Sequence, residues 1–152
     1  MTRLQGDIII SKNINKCFEL FDFSENNVKK IDPTILFHNI ENETENKIGS
    51  TYLQGRDDNG NVLETLVTIT EYIDENDHKK ISAEFNISNY FNIQYYYELN
   101  KIDENCTKFT YFTSTTPTKI FTKIMYKLLR LEKKYNVNNF LEHIKNIIEN
   151  IT

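Results

Sequence analysis

Aromatic side chains recur at every second position in the second half of the chain, and their type and spacing suit a binding site. Alternate residues of a strand lie on one face, so the series predicts an aromatic wall. Such a wall could bind an apolar or aromatic ligand, with tyrosine hydroxyls as polar contacts, or it could be an ordinary filled core. The series is Phe85, Phe91, Tyr95, Tyr97, Phe109 and Tyr111, and the residues expected to face it are Phe121, Met125 and Leu128.

Arg56 is the charged residue that fits best beside such a wall. Tyr52, Gln54 and Arg56 alternate along one predicted strand. If that side of the strand faces inward, Arg56 could pair with a ligand carboxylate or phosphate. If it faces outward, Arg56 is a solvated surface residue. The residues that could add hydroxyl groups, or simply favour strand structure, are Thr65, Thr113 and Thr115.

Histidine and cysteine do not form a recognisable metal or nucleophile motif. His38, His78 and His143 are far apart, and Cys17 and Cys106 have no paired spacing. The chain also lacks a phosphate-binding loop, a dinucleotide fingerprint and a serine nucleophile elbow. We therefore predict no metal site and no cofactor. His38 could act as a general base if it faces the pocket; otherwise it is a surface or edge histidine.

Basic residues form a regular row in the C-terminal part of a chain whose net charge is −4. They recur at helical spacing, and this predicts one charged helix face. That face could bind a membrane leaflet, RNA or an acidic partner, or it could be a solvated outer face. We do not expect nucleic acid as the partner of this face. The row consists of Lys119, Lys123, Lys127, Arg130 and Lys134.

Length and composition favour one domain spanning residues 1–152, large enough for a hydrophobic core. No apolar run approaches the ~20 residues of a membrane span, and the N-terminus lacks the apolar core of a signal peptide. We therefore expect a cytoplasmic protein with two free thiols.

The periodicity predicts strands and two short helices before the C-terminal stretch. Asn13 caps a helix that runs to Phe23, and Ser24 caps a second one that ends at Asp32-Pro33. The Asp58-Asn59-Gly60-Asn61 sequence predicts a tight hairpin. The predicted strands cover residues 4–11, 35–43, 50–57, 62–73, 78–87, 91–102 and 107–115. Short connections from the second strand onward predict an antiparallel meander.

The C-terminal stretch Pro117–Ile151 predicts one long amphipathic helix. Thr116 would cap it, and Pro117 would be its first helical residue. Asn136 marks a weak joint, because asparagine has poor helix propensity. We expect the half before Asn136 to move as a gate over the cavity, and the half after it to be a fixed core element.

This order of elements resembles the helix-grip fold of the START-like superfamily, which includes lipid-transfer and polyketide cyclase/dehydrase-like proteins. The resemblance covers essentially the whole chain. It is carried by the passage ISKNINKCFELFD (residues 10–22), the Lys47-Ile48-Gly49-Ser50 turn and the closing amphipathic helix. The chain departs from many members in having no tryptophan. The superfamily shares no catalytic motif, so the resemblance transfers no functional residue to this chain.

The resemblance implies an α+β protein in which a seven-stranded curved antiparallel sheet surrounds a long C-terminal helix. Two short helices connect its first and second strands. It also implies a hydrophobic pocket between the sheet and the last helix. We therefore expect a small hydrophobic or amphipathic ligand as partner. A polyketide-cyclase-like or hydrolytic enzyme, or an interaction module that uses the basic helix face, remains an alternative, because a fold does not determine function.

Overall fold

The computed structural model describes residues 1–119 and 136–151. Seven strands form one curved antiparallel sheet in the order β1-β7-β6-β5-β4-β3-β2. The strands from β2 to β7 form the predicted meander, and β1 pairs with β7 at the far edge. The strands are β1 Thr2–Ile10, β2 Ile35–Asn42, β3 Thr51–Asp58, β4 Asn61–Asp74, β5 His78–Ile87, β6 Phe91–Asp103 and β7 Cys106–Pro117.

The turn between β3 and β4 fixes the register of these two strands. Asn59 and Gly60 have φ angles of 53° and 88° in the β3–β4 hairpin, as the Asn-Gly sequence predicts. The Asp57 carboxylate accepts a hydrogen bond of 2.9 Å from the Gly60 N–H. This register places Arg56 opposite Leu63 on β4 and opposite Ile35 on β2.

Two short helices, α1 (Ile14–Glu19) and α2 (Glu25–Ile31), connect β1 to β2. The side chains of Asn13 and Ser24 cap them, accepting hydrogen bonds from the N–H groups of Asn15 and Asn27. The first helix is shorter than predicted and does not reach Phe23. Phe23 has a φ of 59°, and this left-handed conformation cannot continue a right-handed helix.

The C-terminal helix α3 spans Val137–Glu149. Asn136 has an extended backbone, and its side chain caps α3 by accepting hydrogen bonds from the N–H groups of Asn138 and Asn139. The predicted weak joint is therefore the start of a helix, and no single helix runs through Asn136. The predicted helical residues 120–135 lie outside the described residues.

The predicted helix start at Thr116-Pro117 was wrong. Both residues belong to β7, where Thr116 pairs with Asn92 and Pro117 with Phe91. The β1 ladder ends at the pair Thr2–Thr115, so β7 has only one neighbouring strand beyond that point. Proline has no N–H group, and it is tolerated there because no second strand needs a hydrogen bond from that position.

The inner face of the sheet carries the odd-numbered residues of β5, β6 and β7, as the alternation predicts. Ile81, Leu99 and Phe109 are fully buried. Helix α3 packs against β1 and β7, and its buried residues are Leu141, Ile144 and Ile148. The architecture is therefore the predicted α+β helix grip, in which the inner face of the sheet wraps around α3.

Candidate ligand-binding cavity

A cavity of 560 Å³ lies inside the grip, within the range of small-molecule sites. Residues from the helical segments and from the sheet line it. Leu20 and Phe21 follow α1, Val28 and Ile31 belong to α2, and Phe140 belongs to α3. The sheet contributes Leu4, Ile35, Gln54, Arg56, Phe85, Ile93, Tyr95, Tyr97, Tyr111, Thr113 and Thr115.

Aromatic rings form a continuous wall on one side of the cavity. Tyr97 lies 5.4 Å from Tyr95 and 5.8 Å from Tyr111, measured between ring centroids. Phe85 meets the edge of Tyr95 at 6.2 Å, and Phe140 of α3 lies 4.3 Å from Tyr111. Rings in contact at these distances hold one another in place, so the wall is a defined surface.

The predicted site residues divide into three groups. Phe85, Tyr95, Tyr97, Tyr111 and Arg56 line the cavity. Phe91 and Phe109 lie elsewhere on the sheet. Phe121, Met125 and Leu128 lie outside the described residues, as do Lys123, Lys127, Arg130 and Lys134 of the basic row.

Phe109 and Phe91 are not among the lining residues. Phe109 is completely buried behind Phe21, with ring centroids 5.4 Å apart. Phe91 begins β6, between Ile87 and Pro117 of the neighbouring strands. Alternation places both on the inner face but does not tell which part of that face is covered by the helices. Lys119 of the basic row is exposed, and its ammonium group lies 5.0 Å from the centre of the Tyr90 ring.

Sequence reasoning did not select the lining residues contributed by the helices. Phe21 follows α1, and Val28 and Ile31 lie on the apolar face of α2; core packing is the ordinary interpretation of all three. Phe140 lies on the apolar stripe of α3. The only available signal was this apolar periodicity, which is the same for a core residue and for a cavity wall.

Tyr95 contributes a phenol group to the aromatic wall. Burial raises the pKa of its phenol, and the positive charge of Arg56 opposes that shift. The phenol is therefore neutral near physiological pH and can donate a hydrogen bond into the cavity.

One ion pair is present on the lining, at the junction of α2, β2 and β3. The Arg56 Nη1 atom lies 2.8 Å from Asp32 Oδ2, and their side chains are 34% and 31% exposed. The other Asp32 oxygen, Oδ1, accepts hydrogen bonds from the Thr34 N–H (3.0 Å) and hydroxyl (2.6 Å). Arg56 thus faces the cavity, and the inward orientation considered for β3 is the one that the structure has.

His38 lies behind the lining. Gln54, which lines the cavity, accepts a 3.1 Å hydrogen bond from His38 Nδ1 through Oε1. The imidazole stacks on Tyr52 at 4.8 Å and on Phe23 at 5.7 Å. Burial lowers the pKa of His38, and the Gln54 hydrogen bond and Glu25 only partly oppose this. His38 is not a lining residue, so the described geometry does not present it as a general base to a ligand in the cavity.

The two cysteines and the other two histidines occupy structural positions. Cys17 is buried, and burial raises the pKa of its thiol to about 11, so it is a poor nucleophile. His78 pairs with Glu98 at 2.7 Å, and His143 donates to the carbonyl of Lys30 at 2.8 Å. Within residues 1–119 and 136–151, no cluster of three histidine, cysteine, aspartate or glutamate side chains could hold a metal ion.

A second cavity of 410 Å³ lies beside the first and shares Phe21 and Phe23 with it. Lys79 in its wall is bound to Asp74, and its ammonium group lies 5.3 Å from the centre of the Phe18 ring. Five charged residues line this second cavity, whereas the described lining of the first has only two and a larger apolar wall. The five are Glu19, Asp22, Lys47, Asp74 and Lys79.

None of the helices in the described segments is long and apolar enough to span a membrane. No model of a known protein family matches the sequence, and no curated protein matches it.

Solved structures do match. The Zhui aromatase/cyclase from Streptomyces sp. R1128 superposes with a TM-score of 0.70 at 9% identity, covering 97% of this chain and 93% of that one. A START superfamily protein from Mycobacterium smegmatis gives 0.67 at 13% identity, covering 97% and 94%. The ginseng major latex-like protein from Panax ginseng gives 0.63 at 19% identity, covering 97% and 95%.

These identities are too low to transfer an activity, but the superpositions cover nearly the whole chain. The strand order and the C-terminal helix packed against the inner face of the sheet agree with them. The protein therefore has the START-like helix-grip fold.

Proposed function

We propose that the protein binds a small hydrophobic or amphipathic ligand in the cavity between the sheet and α3. The observation that carries the proposal is the 560 Å³ cavity with its wall of Tyr95, Tyr97, Tyr111 and Phe85. A wall of packed rings offers an apolar ligand a large contact area, and the phenol groups supply a few directed hydrogen bonds.

A binding role accounts for the lining better than catalysis does. The described lining contains tyrosine, threonine and glutamine, together with the Arg56–Asp32 pair, but no histidine or cysteine. The enzymatic alternative would therefore depend on Tyr95 and Arg56. Burial raises the pKa of Tyr95, so its phenol is a hydrogen-bond donor and a poor base.

The test is calorimetric titration with two uncharged probes, 2-naphthol and decan-1-ol. We expect saturable binding of at least one probe. Replacing Ile93 by tryptophan fills part of the cavity, because Ile93 lines it, and should weaken binding by about tenfold or more, equivalent to about 1.4 kcal/mol.

The matched control is Gln94→Trp, which adds the same ring to the exposed neighbouring position on the outer face of β6. It should leave both affinities unchanged. Failure of both probes to bind, or equal loss of affinity in the two variants, would contradict the proposal.

A further inference from the structure

The described lining of the cavity carries one cation and one anion, and these are bound to each other. Arg56 and Asp32 are the charged residues of that lining, joined at 2.8 Å. Thr34 and Gln54 next to them are neutral. The chain thus already places one carboxylate on the guanidinium group that faces the cavity.

Asp32 engages Arg56 through a single oxygen. Its Oδ2 atom meets Nη1, while Oδ1 accepts hydrogen bonds from the N–H and hydroxyl groups of Thr34. A guanidinium group has five N–H donors in a planar fork that matches a carboxylate in a two-point arrangement. The pair as it stands therefore uses less of the fork than a free carboxylate would.

Because Arg56 and Asp32 are both partly exposed, replacing Asp32 by a ligand carboxylate costs little free energy. Both side chains are about one third exposed, and ion pairs with access to water contribute little net stability. Asp32 is exposed enough to remain hydrated without Arg56, and its Oδ1 atom can keep its hydrogen bonds from Thr34. A ligand carboxylate can then take its place without leaving a buried charge uncompensated.

The guanidinium group and the aromatic wall line the same cavity. Tyr52, Gln54 and Arg56 alternate on one face of β3, and the first two are buried. An apolar body against the tyrosines can therefore carry a head group that reaches Arg56.

We propose that the cavity takes an amphipathic monocarboxylic acid, whose carboxylate binds Arg56 in place of Asp32 and whose apolar body lies against Tyr95 and Tyr97. A monoanion fits because the described lining offers one cation. A phosphate dianion would leave charge uncompensated. This inference rests on the proposed function and specifies its ligand class.

The test compares decanoic acid, decan-1-ol and decylamine, which share one apolar body, by calorimetric titration near neutral pH. We expect the acid to bind about five- to tenfold more tightly than the alcohol, the range of a partly exposed charge-assisted contact. Arg56→Gln should remove this preference, so that the variant binds acid and alcohol equally. Its urea unfolding curve reports that the variant is folded.

Two further variants complete the test. Asp32→Asn removes the competing carboxylate and should increase the ratio of acid to alcohol affinity. Arg3→Gln removes the same charge from an exposed position on β1 and should leave the ratio unchanged.

Equal binding of acid and alcohol, tighter binding of the amine, or an acid preference that survives Arg56→Gln would overturn this inference while the proposed function stands. Failure of all three probes to bind would instead contradict the proposed function itself.

Discussion

Tyr95, His38 and Cys17 are titratable groups that burial holds in their neutral forms. Burial raises the pKa of the phenol and of the thiol and lowers that of the imidazole, because a charged form loses its hydration in the interior. Arg56 and Asp32 differ because both retain partial access to water. At the residue scale, the described lining of the first cavity therefore offers neutral hydrogen-bonding groups and the Arg56–Asp32 ion pair.

His38 should make stability depend on pH. Its pKa is lowered in the folded state from the ordinary value of 6.5, so the unfolded chain binds this proton more readily. Stability contributed by the neutral imidazole is present above the unfolded pKa and is lost as the pH falls toward the folded pKa. We expect the free energy of unfolding to decrease between about pH 7 and about pH 5.

Urea unfolding at several pH values measures this dependence, and His38→Gln should flatten it. The control is His143→Gln, because His143 is partly exposed on α3 and lies outside the buried interior. The same slope in wild type and in His38→Gln would show that burial of this imidazole does not cause the dependence.

At the element scale, the approach of α3 to β1 sets the shape of the grip. A Cβ atom at Gly6 would lie 2.8 Å from Val137 Cγ1 and 2.9 Å from Leu141 Cδ1. The missing side chain of Gly6 therefore lets the first turn of α3 lie directly on the strand. That contact places Phe140 against Tyr111 at the cavity.

Gly6→Ala should destabilise the fold by roughly 1–3 kcal/mol, the usual range for overpacking, as measured by urea unfolding. Gln5→Ala, at the exposed neighbouring position, should change stability by less than about 0.5 kcal/mol. Adding Val137→Ala to Gly6→Ala should recover part of the loss, because the two side chains compete for the same space. A Gly6→Ala variant as stable as Gln5→Ala would refute this account of the interface.

Strand periodicity was enough to predict most elements, because each strand has one buried and one exposed face. Every predicted strand matches the observed one to within two residues at each end. The end of β7 was mispredicted because Thr-Pro is also a helix-start sequence. Only the tertiary pairing of Thr116 with Asn92 decides between the two.

The site was predictable only in part, for a related reason. Alternation identifies Tyr95, Tyr97 and Tyr111 as inward-facing, but it cannot separate a cavity wall from a packed core such as Phe109. The pairing of Arg56 with Asp32 joins residues distant in sequence, and no local pattern indicates it. Both depend on where α1, α2 and α3 cover the sheet.

At the scale of the whole molecule, an open sheet of seven strands wraps around α3, and the two short helices between β1 and β2 also border the cavity. The space enclosed by the sheet and the helices is the basis of the proposed function. The same fold in an aromatase/cyclase and in a START superfamily protein places no limit on what this chain binds. Its own lining residues must decide that.

The most direct test of the central claim is a map of backbone amide chemical shifts during titration with decan-1-ol. We predict saturable changes at Tyr95, Tyr97 and Tyr111 and at Phe140 of α3, with little change at the exposed ends of β2 and β3. Shifts that fail to saturate, or that concentrate on the outer face of the sheet, would contradict a ligand-binding cavity inside the grip.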